Sequence, residues 1–215
     1  MNKGDLVLVN YIGKNSDGEI FDLTVEERAK EEGIHREDVN YQPIPVLVGE
    51  NYVIEGLDEA LQDMEVGEEK EVEIPKEKAY GDRDSDQIET YPEKEFQRQD
   101  INPRPGEELM IGNRRGKVLT NNSGRVRIDF NHPLSGQDLE YEVEIVEKIE
   151  DDEDKVSKIF QHVVGHGDYE IEDDVVKVEK VHSHEGHSHE IPDEMKERFE
   201  EQVEEHTELE VQFVE

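Results

Sequence analysis

The sequence predicts an α+β protein: an antiparallel sheet around one short helix, a β-rich middle segment, and a C-terminal α/β domain. Three observations carry this. Apolar residues alternate through Leu6–Tyr11 and again through Leu139–Ile145, the period of a strand. Leu57, Ala60, Leu61 and Met64 recur at the i, i+3, i+4, i+7 spacing of one helix face. Beyond the acidic stretch Glu150–Asp154, helical and extended patterns succeed one another.

In the first strand, Leu6, Leu8 and Asn10 fall on one face and Val7, Val9 and Tyr11 on the other. Asn15-Ser16-Asp17-Gly18 reads as a turn, because Asp-Gly tolerates positive φ. Ile20-Phe21 resumes an extended run. Thr24 to Asn40 is polar and Glu-rich, an insertion with one exposed helical stretch at Glu26–Glu32. Val46-Leu47-Val48 is the next apolar run, and Gly67 is placed to stop the helix that begins near Leu57. Val72 and Ile74 alternate with Glu71 and Glu73 in a half-buried strand.

From Asp82 to Asp129 the texture changes to Asp, Gln, Asn and Gly, with short runs at Leu109–Ile111, Lys117–Leu119 and Arg125–Asp129. Asn121-Asn122-Ser123-Gly124 is a hairpin signal between the last two. Arg104, Arg114, Arg115, Lys117 and Arg125 stand out there against an acidic remainder. The last third reads as a helix (156–164), a strand or hairpin (168–181), a His-rich loop, a helix (193–206) and a strand (209–214). Met195, Phe199 and Val203 form an apolar stripe on the second of these helices. The expected domains are therefore residues 1–81 with 130–150, residues 82–129, and residues 151–215, with Glu150–Asp154 as a linker.

The aromatic and aliphatic residues Tyr11, Phe21, Val53, Ile54, Leu57, Tyr80 and Tyr141 come from several strands and one helix, and each alone reads as core. Their neighbourhoods change that reading. Tyr11-Ile12-Gly13, the Asp-Gly turn, Phe21-Asp22, Val48-Gly49, Val53-Ile54-Glu55-Gly56-Leu57, Val66-Gly67-Glu68, Ala79-Tyr80-Gly81 and Leu139-x-Tyr141-x-Val143 occur in that order. This ordered set resembles the FKBP-type peptidyl-prolyl cis-trans isomerases over residues 3–149. The interruption after Tyr80-Gly81, resumed by Asn131-His132-Pro133-Leu134-Ser135-Gly136, resembles the SlyD-like branch, which carries an insert-in-flap chaperone subdomain at that point. The segment beyond Glu150 and the 24–40 insertion look like the long archaeal members.

The resemblance implies an FKBP-like sheet wrapped on a short helix, with a pocket formed by Tyr11, Phe21, Asp22, Val53, Ile54, Leu57, Tyr80 and Tyr141. In it Tyr80 is the hydrogen-bond donor to a substrate carbonyl, and Asp22 the buried carboxylate near the carbonyl carbon. Leu57 stands where the best-known single-domain members have Trp, and Tyr52 where many have an acidic residue. No cofactor is required for turning an amide. The implied partners are unfolded or nascent polypeptides containing proline. In the insert, Met110, Ile111, Val118, Leu119, Val126 and Ile128 are the candidate client-binding residues, about half of which a subdomain this small needs for its own core. Four imidazoles, His182, His184, His187 and His189, lie within eight residues and suit Ni or Zn. Two other readings stay open: a holdase without catalysis, and a metal-handling protein built on that tract.

Charge bounds the partners. The chain of 215 residues has 24 Lys and Arg against 59 Asp and Glu, a formal net charge of −35. That excludes nucleic acid as a default partner and argues against an anionic membrane surface. With no Cys, disulfide and thiolate chemistry are excluded. No phosphate-binding glycine loop is present; Gly165-His166-Gly167 lacks the third glycine. Without an apolar run near the start or any stretch of about 18 apolar residues, the expected location is the cytoplasm. Acid is dispersed over the whole chain, and such self-repulsion destabilises a compact state in dilute buffer. At about 1 M salt the screening length falls to ~3 Å and relieves it, which points to a salt-rich cytoplasm. The thermal midpoint is therefore expected to rise on going from dilute to molar KCl. Equal midpoints in the two solutions would contradict salt adaptation.

Overall fold

The computed structural model describes residues 1–165, 167–179, 181–184 and 187–214; of 181–184 and 187–189 it describes the backbone alone. The chain forms two compact units, one of residues 1–14, 20–72 and 140–215 and the other of residues 15–19 and 73–139. In chain order the elements are β1 (Leu6–Lys14), β2 (Ile20–Leu23), α1 (Glu26–Glu31), β3 (Ile44–Leu47), α2 (Glu55–Gln62) and β4 (Glu69–Ile74). There follow β5 (Ile88–Pro92), α3 (Glu93–Gln97), β6 (Glu108–Ile111), β7 (Arg114–Asn122), β8 (Arg125–Asp129) and β9 (Leu139–Ile149). The last are α4 (Asp152–Val163), β10 (Tyr169–Glu172), β11 (Val175–Glu179), β12 (Val181–His184), β13 (His187–Glu190), α5 (Asp193–His206) and β14 (Glu210–Val214).

The main sheet has the order β2-β1-β9-β4, and β3 also pairs with β1. Strand β1 is antiparallel to β2, β3 and β9. Strand β9 alternates as its sequence demands: Leu139, Tyr141, Val143 and Ile145 are buried, while the Glu residues between them are exposed or half-buried. Strand β1 does not keep the simple two-face split. Its register to β9 shifts between Leu8 and Val9, and Leu6, Val7 and Val9 are all buried. A bulge adds one residue on one strand, here leaving Val146 unpaired and exposed, and re-aims the side chains beyond it.

Helix α2 buries Leu57, Ala60 and Leu61. It ends at Gln62, so Gly67 does not stop it. Gly67 instead takes φ 81° just before β4, where its N–H reaches the Ile145 carbonyl at 2.7 Å. Helix α1 lies inside the predicted 26–32 stretch and is not wholly exposed, because Ala29 is buried.

The C-terminal residues form a three-stranded sheet, β10-β11-β14, with β11 and β14 parallel. Helices α4 and α5 share its core, where Val156, Ile159, Phe160, Phe199 and Val203 pack with Val176 and Val178. Glu150–Asp154 is not a linker. The Asp151 carboxylate accepts the Asp154 N–H at 3.1 Å as the N-cap of α4, and Asp152 to Asp154 make its first turn. Carboxylates are favoured there because the first helical amides lack backbone partners. Met195 leaves the expected stripe: it is 41% exposed, while Phe199 and Val203 are fully buried. Part of the predicted His-rich loop is a hairpin, whose backbone register sets His182 opposite His189 and His184 opposite His187.

The second unit contains the sheet β5-β8-β7-β6. Strand β5 and the single-turn helix α3 were not expected, because residues 88–97 contain no apolar run. Phe96 from α3, with Val118, Val126 and Ile128, forms the core, and Tyr91, Ile101, Leu109, Ile111 and Phe130 pack around it. The Arg114 guanidinium lies 3.9 Å from the Phe130 ring centroid and bonds Glu89 at 2.6 Å, so this cation is tied down within the subdomain.

The two chain segments that enter and leave the insert are clamped together. The Asn131 side chain accepts from the Asp84 N–H at 2.8 Å and donates to the Asp84 carbonyl at 2.9 Å. The Gly136 N–H reaches the Gly81 carbonyl at 2.7 Å. Asp129, 2% exposed, receives Arg83 and both the backbone and side-chain N–H groups of Asn131. Burial alone would push its carboxyl up, but the Asn131 and Arg83 bonds outweigh it and hold the group below its ordinary value of 3.8. Because the folded value is depressed, this group's stabilisation is present above about pH 4 and is lost as pH falls through the folded value. Asp129→Asn is expected to cost about 1–3 kcal/mol at neutral pH and progressively less in acid. Amide exchange of β5–β8 reads this directly, and a pH-independent difference would show that the charge of Asp129 is immaterial.

Candidate functional site

Four of the predicted pocket residues meet on β1, β2 and β9. The register of β1 against β9 sets Tyr11 opposite Val143 and Gly13 opposite Tyr141, and Gly13 also faces Asp22 across the β1–β2 pair. The Tyr11 and Tyr141 ring centroids are 5.8 Å apart and tilted by 51°. Phe21 stands edge-on to Tyr141 at 5.9 Å and 79°. These are the separations at which ring edges and faces attract. Tyr141 is buried, and Tyr11 and Phe21 are half-buried.

The Tyr11 hydroxyl donates to Asp22 Oδ2 at 2.6 Å, which orients the phenol. Asp22 was expected to be a buried carboxylate and is exposed. It lies within β2, whose pairing to β1 turns the carboxylate toward Tyr11.

Val53, Ile54 and Leu57 form a second set in the same unit, at the start of α2. Ile54 is the residue preceding the first helical turn, Val53 and Ile54 are half-buried, and Leu57 is 2% exposed. The eighth residue, Tyr80, belongs to the other unit. There its ring stacks on His132, with centroids 3.9 Å apart and planes 6° apart. Burial pushes His132 below the ordinary imidazole value, which favours a neutral ring in the stack.

The insert residues divide as a small core requires. Val118, Val126 and Ile128 are inside and cannot meet a client in the folded state. Ile111 and Leu119 are half-buried, and Met110 is 60% exposed. The side chains of His182, His184, His187 and His189 lie outside the described residues. Among the described residues, one group has metal-ligand spacing, Glu50 with Glu205 and His206; Lys3 pairs with that Glu50 at 3.2 Å.

Sequence reasoning placed no site role on Gly13 or His132. Gly13 could have been noticed as a glycine inside a strand, where it weakens the strand unless something approaches closely. A Cβ there would lie 2.7 Å from Phe21 Cζ and 3.2 Å from Tyr141 Cε1. The bare backbone is what lets the Phe21 ring lie across β1.

Comparison with known proteins identifies the family. The family described as "FKBP26, IF domain" matches residues 90–134, which contain most of the second unit's sheet. A short-type peptidyl-prolyl cis-trans isomerase of Methanocaldococcus jannaschii is 39% identical over 145 residues, covering 67% of this chain and 92% of that relative. The SlyD protein of Aeromonas hydrophila is 28% identical over 144 residues, 65% of this chain and 60% of its own length. That of Haemophilus influenzae is 34% identical over 115 residues, 49% of this chain and 57% of its own. An antiparallel sheet that carries an aromatic cluster, and a relative 39% identical, point to one class of protein, the prolyl isomerases. The chain belongs to the FKBP-type peptidyl-prolyl cis-trans isomerases, and within them it is similar to the SlyD proteins.

Gly13→Ala is expected to displace the Phe21 ring and to cost about 1–3 kcal/mol, the usual range for overpacking. The ring-proton shifts of Phe21 and Tyr141 should move together. Unchanged shifts in a folded variant would mean that Gly13 does not shape the cluster.

Proposed function

We propose that this chain accelerates cis–trans isomerisation of X-Pro bonds in unfolded or partly folded polypeptides, and that its insert holds the client. The observation that carries the first half is the Tyr11–Phe21–Tyr141 cluster, with the Tyr11 hydroxyl fixed by Asp22. Isomerisation has a barrier of about 18–20 kcal/mol because twisting the amide loses resonance. It needs no proton transfer and no covalent intermediate. A pocket of aromatic walls excludes water and favours the twisted amide, which is less polar than the planar one. A preference of about 4–6 kcal/mol gives roughly 10³–10⁴-fold acceleration.

In this reading Phe21 and Tyr141 form walls around the proline ring, and Leu57 with Val53 and Ile54 closes the apolar base. The family resemblance gives Tyr80 the role of donor to a substrate carbonyl, and within its own unit the ring is held by its stack on His132. The Asp22 carboxylate holds Tyr11 and adds negative charge beside the carbonyl carbon. The insert offers Met110, an adaptable thioether side chain, beside the half-buried Ile111. An extended client adding to a strand edge there would be held by backbone hydrogen bonds without regard to its sequence. Proline-containing unfolded chains are the partners this implies, and the net charge disfavours nucleic acid and anionic membranes. Among the described residues, no helix is long and apolar enough to cross a membrane.

The test is NMR exchange of a short X-Pro peptide in molar KCl, beside refolding of a larger client limited by proline isomerisation. Phe21→Ala and Tyr80→Ala should each slow peptide exchange about tenfold, a loss of about 1.4 kcal/mol from the transition state. Met110→Asp should leave peptide exchange unchanged and slow client refolding. Exchange no faster than that of the peptide alone, in folded protein, would remove the catalytic reading and leave a holdase.

A further inference from the structure

Tyr52 immediately precedes Val53 and Ile54, and three residues of the C-terminal helices hold it. Its hydroxyl donates to Gln202 Oε1 on α5 at 2.7 Å. Its ring stacks on the His162 imidazole of α4, with centroids 3.7 Å apart and planes 13° apart. The Arg198 guanidinium, one turn before Gln202, lies 5.8 Å from the same ring. The ring also packs against the buried cluster of Leu6, Leu47 and Ile149, which ties it to the main sheet.

Each contact has a physical reason to persist. Gln202 is 5% exposed, and a buried amide is costly unless bonded; the Tyr52 hydroxyl supplies its oxygen with a donor. Burial pushes the Tyr52 phenol up to about 12, so it stays a donor at any ordinary pH. Burial, and then the charge of Arg198, lower His162 below the usual imidazole value, which favours the neutral ring in the stack.

The start of the segment being held is already tied, Val48 by backbone bonds to Gly4 and Asp5, the Gly49 N–H by Asp58 and Glu50 by Lys3, so the Tyr52 anchor serves the residues after Glu50. Residues 48–54 between β3 and α2 belong to no strand or helix, and Asn51 takes a left-handed φ of 56°. A chain segment outside the hydrogen-bonded ladders moves unless a side chain anchors it.

We infer that the C-terminal domain positions the substrate-binding segment 53–57 through Tyr52, which makes Tyr52 and Gln202 positioning residues for prolyl isomerisation. The inference rests on the pocket proposed above. With the anchor in place, Val53 and Ile54 are already set when the client arrives. Without it, binding must also order the segment, which weakens affinity more than it changes the bound reaction.

The experiment uses the full chain and measures kcat and KM for a proline peptide in the wild type, Tyr52→Phe, Gln202→Leu, the double variant and Phe21→Ala. Each single anchor variant should raise KM about fivefold, the size of one neutral hydrogen bond, while kcat stays within about twofold. The double variant should be no worse than either single one, as for two partners of one contact. The amide resonances of Val53 and Ile54 should shift in Gln202→Leu. Tyr52→Phe, which loses one oxygen, serves if Gln202→Leu does not fold. Unchanged KM with unmoved Val53 and Ile54 resonances overturns the inference, and the pocket then stands if Phe21→Ala loses activity. A fully active Phe21→Ala overturns the pocket assignment itself.

Discussion

The pairing of β1 with β9 is the constraint on which the rest of this molecule depends. It joins the start of the chain to the strand that returns after the insert, and its register sets Gly13 opposite Tyr141 and Tyr11 opposite Val143. A slip of one residue would carry Tyr141 and Val143 to the other face of the sheet, because the side-chain period of a strand is two. The Glu residues between them resist that slip: turning Glu140, Glu142 and Glu144 into the core would bury three charges. Lys14 reinforces the register from the far end, with its ammonium 3.0 Å from Glu140 and 2.6 Å from Glu142. Ion pairs this close to the surface contribute little energy each. Their value here is directional, since both acids lie on the partner strand.

The aromatic cluster is a consequence of that register together with one missing side chain. Gly13 leaves room for Phe21 to cross β1 and reach Tyr141, and β2 delivers Asp22 to the Tyr11 hydroxyl. A prolyl isomerase needs no acid, base or nucleophile. In the proposed function the chemistry lies in the shape and dryness of this cluster, so a backbone position can matter as much as any functional group.

The insert has its own small core and its own clamp. Phe96, Val118, Val126 and Ile128 fill the interior, and Arg83, Asp129 and Asn131 bind the entering and leaving segments together. The subdomain can therefore keep its fold while presenting Met110 outward. At the other end of the chain, the C-terminal helices bury Phe160, Phe199 and Val203 in a core of their own, and α4 and α5 together take hold of Tyr52. An acidic surface is compatible with both, because the carboxylates lie mostly outside these cores.

Local pattern determined a good deal. The long alternation in β9, the helical spacing of Leu57, Ala60 and Leu61, and the helix 193–206 are visible because each spans enough residues to show its period. Two elements were not legible: β5 and α3 lie in a stretch with no apolar run and are held by packing around Tyr91 and Phe96 rather than by propensity. The abundance of acid was readable from composition, and membership of the FKBP family from the order of short motifs. Which atoms meet was not. That Asp22 is exposed and serves Tyr11, that Gly13 makes room for Phe21, that Met195 leaves its stripe and that Gln202 reaches Tyr52 were decided by the tertiary structure. Each depends on the register of strands or the docking of helices far apart in the chain, and local periodicity carries no record of either.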